Sequence, residues 1–415
     1  MGVALRSASF CWLLASSLAT YVGTGVQLTA TAWLALDAPG GAFTVGLVFA
    51  ARMLPNLLFG LAAGTLADRG NRARLLAIVR LLALPPALGL AWLAATQPDG
   101  VSVWPLVVLA FGTGCATVFD MPARQALVMD TVPRDAASNA MALNATASRL
   151  STAMGALLAG ALIPLVGVPA AFMVTAIAFG VAAIAGLLTR TSVTAFSART
   201  SRPLGPRPTF GQALRDALRL LRDIGEVRIL VIAAVACEIF GFSYQTAMPA
   251  FARDVLGAGA EGLGTLNAAT SLGGALGLVS LTLVPGRMSR RPILGLVFIA
   301  FGASMLVVAP TTSLEIAAIA LLVTGACAAS FDVLQQTLIQ FAVPEAHRGR
   351  AVGLWVLSIG SAPIGNLEMG ALVAALGAPT ALAINGGLVV LAAAVLLLRA
   401  PRSYMIGANL RRGSE

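Results

Sequence analysis

The chain places ionisable side chains where few sequences have them, inside long apolar runs. Arg52, Arg149 and Glu238 each lie about ten residues into such a run, which at 1.5 Å rise per residue is near the middle of a bilayer. A charge at that depth costs at least a few kcal/mol, so it must face a cavity or a partner. A carboxylate that has to shed water to reach it can take up and release a proton, which makes Glu238 the candidate for proton coupling. Arg52 and Arg149 admit two readings: structural bonding to backbone carbonyls, or a positive wall opposite Glu238. Tyr244 and Gln245 follow Glu238 in the same run and could touch a ligand. Glu368 lies further toward one end of its run, and Asp120 and Asp332 toward the other.

These positions need helices to hold them. The chain has 415 residues, of which 58% are hydrophobic and only 11% charged, with a mean hydropathy of +0.89. Such values exclude an ordinary soluble domain and indicate a polytopic membrane protein. Windows of about 20 apolar residues predict twelve spans: 10–36, 42–66, 75–96, 103–128, 138–165, 168–189, 228–252, 261–284, 291–310, 313–341, 350–376 and 379–399. The N-terminal run is too long for a signal peptide's apolar region and reads as an uncleaved first span. The fold class is therefore all-α integral membrane, twelve transmembrane helices in two six-helix repeats. The expected organisation is an N-terminal bundle over 1–190, a linker with a short amphipathic helix over 191–225, and a C-terminal bundle with its tail over 226–415.

All 27 basic residues are arginine and the net charge is +10. The arginines are dispersed between apolar runs, so they read as membrane topology and not as a nucleic-acid surface. Only Arg253 falls on one side, while 24 arginines, Arg80 and Arg124 among them, are assigned to the loops of the other. The positive-inside rule then places both termini in the cytoplasm.

An internal repeat supports two halves. Cys115 to Asp120 in the fourth run answers Cys327 to Asp332 in the tenth, and Val132-Pro133 answers Val343-Pro344. Parallel repeats with a site between them suit alternating access.

The stretch Gly64-Thr65-Leu66-Ala67-Asp68-Arg69-Gly70-Asn71-Arg72-Ala73-Arg74 reads as a polar turn between the second and third spans. It resembles the corresponding loop of the major facilitator superfamily, G-x-x-x-D-R-x-G-R-[RK], with Gly64, Asp68, Arg69 and Arg72 in matching places. Asn71 replaces a glycine, and Arg74 comes one position late. Asp120, Pro122 and Arg124 within Phe119 to Ala126, with Asn139 to Asn144, resemble the fourth-to-fifth helix signature of the enterobactin-exporter-like branch. Gln336 to Leu338 and Arg348-Gly349-Arg350 are similar to its tenth-to-eleventh helix stretch. Gly155-Ala156 stands where the family often has Gly-Pro.

The resemblance implies the major facilitator fold and a gating loop in which Asp68 rests on the N-terminus of the eleventh helix, near Gly349 to Gly353. It also implies secondary transport in a cell inner membrane. The expected function is a proton-coupled exporter of a small amphipathic or anionic metabolite such as a siderophore, drug or antibiotic. An uptake permease is the rival within transport, and a non-transporting receptor or lipid-handling protein the rival outside it. No Walker A, H-E-x-x-H or G-x-S-x-G motif occurs, so neither an ATP-driven pump nor a hydrolase is expected. No enzyme activity, cofactor, metal site or nucleic-acid partner is expected. The expected partners are the bilayer, a small substrate and protons, and the expected state is a monomer.

Overall fold

A computed structural model describes residues 5–69, 72–97, 100–133, 135–189, 219–283, 290–343 and 348–399, with backbone alone for 61–69, 348–352 and 399. Among the described residues, twelve helices are long and apolar enough to cross a membrane. The first, Ala8–Asp37, is capped by the Ser7 side chain. The second is Ala42–Arg69, so the stretch expected as a turn from Gly64 is helical as far as Arg69. The fifth, Ala137–Val166, runs unbroken through Gly155-Ala156. The sixth is Val168–Leu187, the eighth Gly259–Leu283, the ninth Arg290–Val308, the tenth Leu314–Phe341 and the twelfth Ala378–Arg399.

Three spans are broken, each just ahead of a proline. The third divides into Arg72–Leu82 and Leu84–Thr96 before Pro85 and Pro86. The fourth divides into Val103–Thr117 and Asp120–Thr131 before Pro122. The eleventh divides into Arg348–Ile359 and Ala362–Leu376 before Pro363. Proline lacks the N–H that would bond the carbonyl four residues back, so each break falls where that bond is missing. The seventh span is interrupted differently. Gly225–Ala236 passes into a π-helical turn at Cys237–Gly241, then Tyr244–Ala250, then a second π turn at Phe251–Val255.

The outer surface is apolar, as a lipid-facing surface must be. Leu165, Ile177, Leu283, Leu296 and Leu398 are all more than 60% exposed. Trp92 and Trp104 are exposed near the same face of the bundle, where aromatic rings suit the interface. Links from the fifth to the sixth span and from the eleventh to the twelfth are each a single glycine, Gly167 with φ +87° and Gly377 with φ +81°. That left-handed backbone favours glycine, and its recurrence makes the repeat visible in three dimensions.

The two halves meet through the fifth and eighth spans and through the second and eleventh. Small residues set these contacts. A Cβ on Gly264 would stand 2.9 Å from Gly160 Cα, and one on Gly370 would stand 3.0 Å from Gly46 Cα. Close backbone approach of this kind replaces the hydrophobic effect as the source of helix affinity in lipid. All four glycines lie toward the face away from the termini. On that face Arg253 Nη1 also reaches Asp37 Oδ1 at 3.1 Å, and at mid-depth Asn267 Nδ2 donates to Thr29 Oγ1 at 3.1 Å.

Candidate central cavity

Between the halves lies a cavity of about 650 Å³. Its wall extends from mid-span to Gln125, Val128, Met141 and Gln336 near the ends facing the termini. It therefore reaches toward the terminal face, while the close glycine contacts between the halves shut the other. Helix geometry fixes which side chains reach it. In the first half these include Tyr21, Phe49, Arg52, Met53, Asn144 and Arg149. In the second they include Glu238, Phe242, Gln245, Asp332, Trp355 and Asn366.

Five charged residues line the cavity, divided by half: Arg52, Arg124 and Arg149 in the first, Glu238 and Asp332 in the second. Glu238 comes from the π turn Cys237–Gly241, closed by the Phe242 N–H bonding Cys237 O at 2.8 Å. The widened turn changes which residues share a face after it, and such bulges recur at functional sites. Asp332 lies within electrostatic reach of both Glu238 and Arg149. Neither carboxylate has a hydrogen-bond or ion-pair partner among the described residues. Arg149 crosses the interface: a Cβ on Gly274 of the eighth span would stand 3.4 Å from its Cδ and 3.6 Å from its Cζ.

Arg52 is 8% exposed and also has no hydrogen-bond or ion-pair partner among the described residues. Behind it is a recess of about 130 Å³ bordered by Tyr21, Arg80 and Asp120. Here the structure corrects the sequence reading. Arg80 and Arg124, assigned to a solvated loop face, are 2% and 8% exposed. Each places Nε 3.3 Å from an oxygen of Asp120. Arg124 also lies over the Tyr21 ring, 5.1 Å from its centroid, and Arg80 donates to Ser16 Oγ. Asp120 is thus a counter-ion inside the first six spans, while its repeat partner Asp332 faces the cavity.

Two other expectations are corrected. Tyr244 does not line the cavity; it is 1% exposed and meets Phe301 edge-on with ring centroids 6.2 Å apart. Glu368 does not line it either, and accepts from Asn385 Nδ2 at 3.0 Å. Asn385 also donates to Ser243 Oγ, a residue of the cavity wall, at 3.2 Å. Gln245 lines the cavity as expected, and Pro122 sits just past the break in the fourth span.

Of the stretch expected to form a gating loop, Arg72 pairs with Asp130 at 3.1 Å and donates to Ala126 O at 3.0 Å, and Arg74 is exposed. The side chains of Asp68 and Arg69 and the surroundings of Gly64 lie outside the described residues, as do those of 349–352, so the expected Asp68 contact does too. Most of the linker and the tail beyond 399 also lie outside; of the amphipathic helix only 219–223 are described, and these are helical.

The geometry agrees with known proteins. The family model described as transmembrane secretion effector matches residues 3–408. The multidrug efflux pump Tap of Mycobacterium tuberculosis is 27% identical over 378 residues, covering 90% of this chain and 88% of the relative. The staphyloferrin A transporter of Staphylococcus aureus is 22% identical, with 86% and 88% covered. Among solved structures, the nucleoside transporter NupG superposes with a TM-score of 0.69 at 15% identity, covering 94% of this chain and 98% of that one. The POT family transporter PepTSo gives 0.70 at 16% identity, with 96% and 98% covered. At these identities the two structures show the fold alone. The chain is a multi-pass membrane transporter of small molecules and belongs to the transmembrane secretion effector family of the major facilitator superfamily.

Proposed function

We propose that this protein is a proton-coupled exporter of a small amphipathic or anionic metabolite, acting by alternating access in a cell inner membrane. The observation that carries this reading is the cavity itself: about 650 Å³, shut at one face, with Arg52 and Arg149 on one wall and Glu238 and Asp332 on the other, none of them with a hydrogen-bond or ion-pair partner among the described residues. The names of the relatives, a multidrug efflux pump and a staphyloferrin A transporter, support drug-like or siderophore-like cargo. The arginine bias supports a cytoplasmic terminal face, so the cavity would load from the cytoplasm.

In this reading the two six-helix bundles, over 1–190 and 226–415, rock about the central cavity and part the glycine contacts when the opposite face opens, and the protein works as a monomer. Glu238 and Asp332 take up protons from outside as cargo leaves and release them inside as new cargo binds. Arg52 and Arg149 hold the cargo's anionic group. A receptor with no transported cargo would need no cavity of this size between halves so free of side chains.

The test is ethidium and tetracycline accumulation in cells with and without the protein. Lower accumulation that an uncoupler abolishes is expected for at least one of them. Equal accumulation with and without the protein for both compounds, or lower accumulation that an uncoupler leaves unchanged, would contradict the reading.

A further inference from the structure

The charges facing the cavity are separated by sign, and four of the five are unpaired. Asp120 carries Arg80 on one oxygen and Arg124 on the other, and no ion pair joins it to Arg52 among the described residues. Arg124 is likewise committed to Asp120 and to the Tyr21 ring. That leaves Arg52 and Arg149 on one wall, and Glu238 and Asp332 on the other, without a hydrogen-bond or ion-pair partner among the described residues. Arg52 is the most constrained of them. It is 8% exposed, it borders both the cavity and the recess behind it, and its backbone is packed against Gly114 of the fourth span, so it cannot withdraw to water.

When the cavity closes over a cargo, every unpaired charge inside must be compensated or bear the full cost of desolvation. An anionic cargo would satisfy the arginines and leave the carboxylates. A cationic cargo would satisfy the carboxylates and leave Arg52. Even with Arg149 swung onto Asp332, which lies within its electrostatic reach, Arg52 and Glu238 remain, one charge of each sign. Between them the wall is apolar and adaptable, with Phe49, Met53, Met121, Phe242 and Trp355; methionine and aromatic side chains repack around varied shapes.

Resting on the transport reading above, we propose that the cavity is a bipolar site for zwitterionic amphiphiles, whose anionic group docks on Arg52 and Arg149 and whose cationic group occupies the Glu238 and Asp332 wall. The cargo's cation and the proton then compete for the same two carboxylates, which ties cargo binding to proton release without any contact between cargo and proton.

The test uses three xanthene dyes of similar shape: rhodamine B, a zwitterion; its ethyl ester, a cation; and fluorescein, an anion. Binding to the purified full-length protein in nanodiscs is read by fluorescence polarisation. Rhodamine B should bind about tenfold more tightly than either of the others, the scale of one charge-assisted contact. Arg52→Gln should bring rhodamine B down to the affinity of the ester and leave the ester unchanged, while Arg52→Lys keeps part of the preference. Glu238→Gln should weaken rhodamine B and the ester but not fluorescein.

Equal affinity of the native protein for rhodamine B and its ester overturns the proposal. So does an Arg52→Gln variant that weakens both alike, which is what a purely structural arginine would give. If vesicles still move the ester in an uncoupler-sensitive way, the transport reading survives that failure. The expected binding pattern without energised movement of any dye would instead support the site and count against the transport reading.

Discussion

The fourth and tenth spans carry the same Cys-to-Asp repeat, yet the two aspartates do opposite work. In the first half the span breaks ahead of Pro122, and Asp120 turns to Arg80 and Arg124, each 3.3 Å away. In the second half Leu314–Phe341 is continuous. Phe331 packs at a tilt against Phe298 with centroids 4.7 Å apart, no arginine among the described residues forms an ion pair with Asp332, and its side chain lines the cavity. One duplicated residue is a counter-ion to two arginines, and the other faces the cavity with no ion-pair partner among the described residues. A repeat in sequence preserves position, and the partners supplied by neighbouring spans decide the chemistry.

The largest expected effect separates the two aspartates directly. Asp120→Asn leaves Arg80 and Arg124 buried with no counter-charge, and breaking a buried pair costs about 3–5 kcal/mol. Thermal unfolding in detergent should show a sharply lower midpoint or no monodisperse protein at all. Asp332→Asn removes no ion pair, so its midpoint should match or exceed that of the native protein while transport falls. Similar midpoints for the two variants would break the contrast.

A smaller effect is expected where the halves touch. A Cβ on Gly46 would lie 2.5 Å from Asn366 O and 3.0 Å from Gly370 Cα. Gly46→Val should therefore wedge the shut face open at a cost of about 1–3 kcal/mol, a change of roughly tenfold or more in the population open there. Labelling of a cysteine placed on the cavity wall, by a reagent added from that face, should rise accordingly. Gly180 has no atom within 4 Å of such a Cβ, so Gly180→Ala should leave labelling unchanged.

The smallest effect concerns Arg253 and Asp37, which join the halves at the same face but are 38% and 48% exposed. Exposed pairs contribute about 0–1 kcal/mol and are screened by salt. Arg253→Ala should raise labelling at most about fivefold in low salt and have no effect in roughly 1 M salt. An effect as large as that of Gly46→Val would move the gate from the glycine contacts to the ion pair.

Much of the fold is legible in the sequence because a bilayer imposes a length. The described spans begin and end within a few residues of the apolar windows, and the three broken spans each announce the break with a proline. The π turn that presents Glu238 is not legible, since no residue type in Cys237 to Gly241 demands it; it lies where Gly365 of the eleventh span packs against the Ile239 backbone, a contact the local sequence does not announce. Arg80 misleads for another reason. It stands eight residues into its helix, where an arginine reads as part of the positive-inside bias, and the acid that buries it is forty residues away in the next span. For Tyr244 and Glu368 the sequence offers depth alone, which does not say which way a helix faces.

The most direct measurement of the proposed coupling role of Glu238 is transport by Glu238→Gln reconstituted in liposomes, followed with and without a pH gradient. Uphill movement driven by the gradient should be lost, because glutamine cannot bind and release a proton, while exchange of labelled for unlabelled cargo at equal pH continues. Unchanged uphill transport in this variant would contradict the account and remove Glu238 from the mechanism.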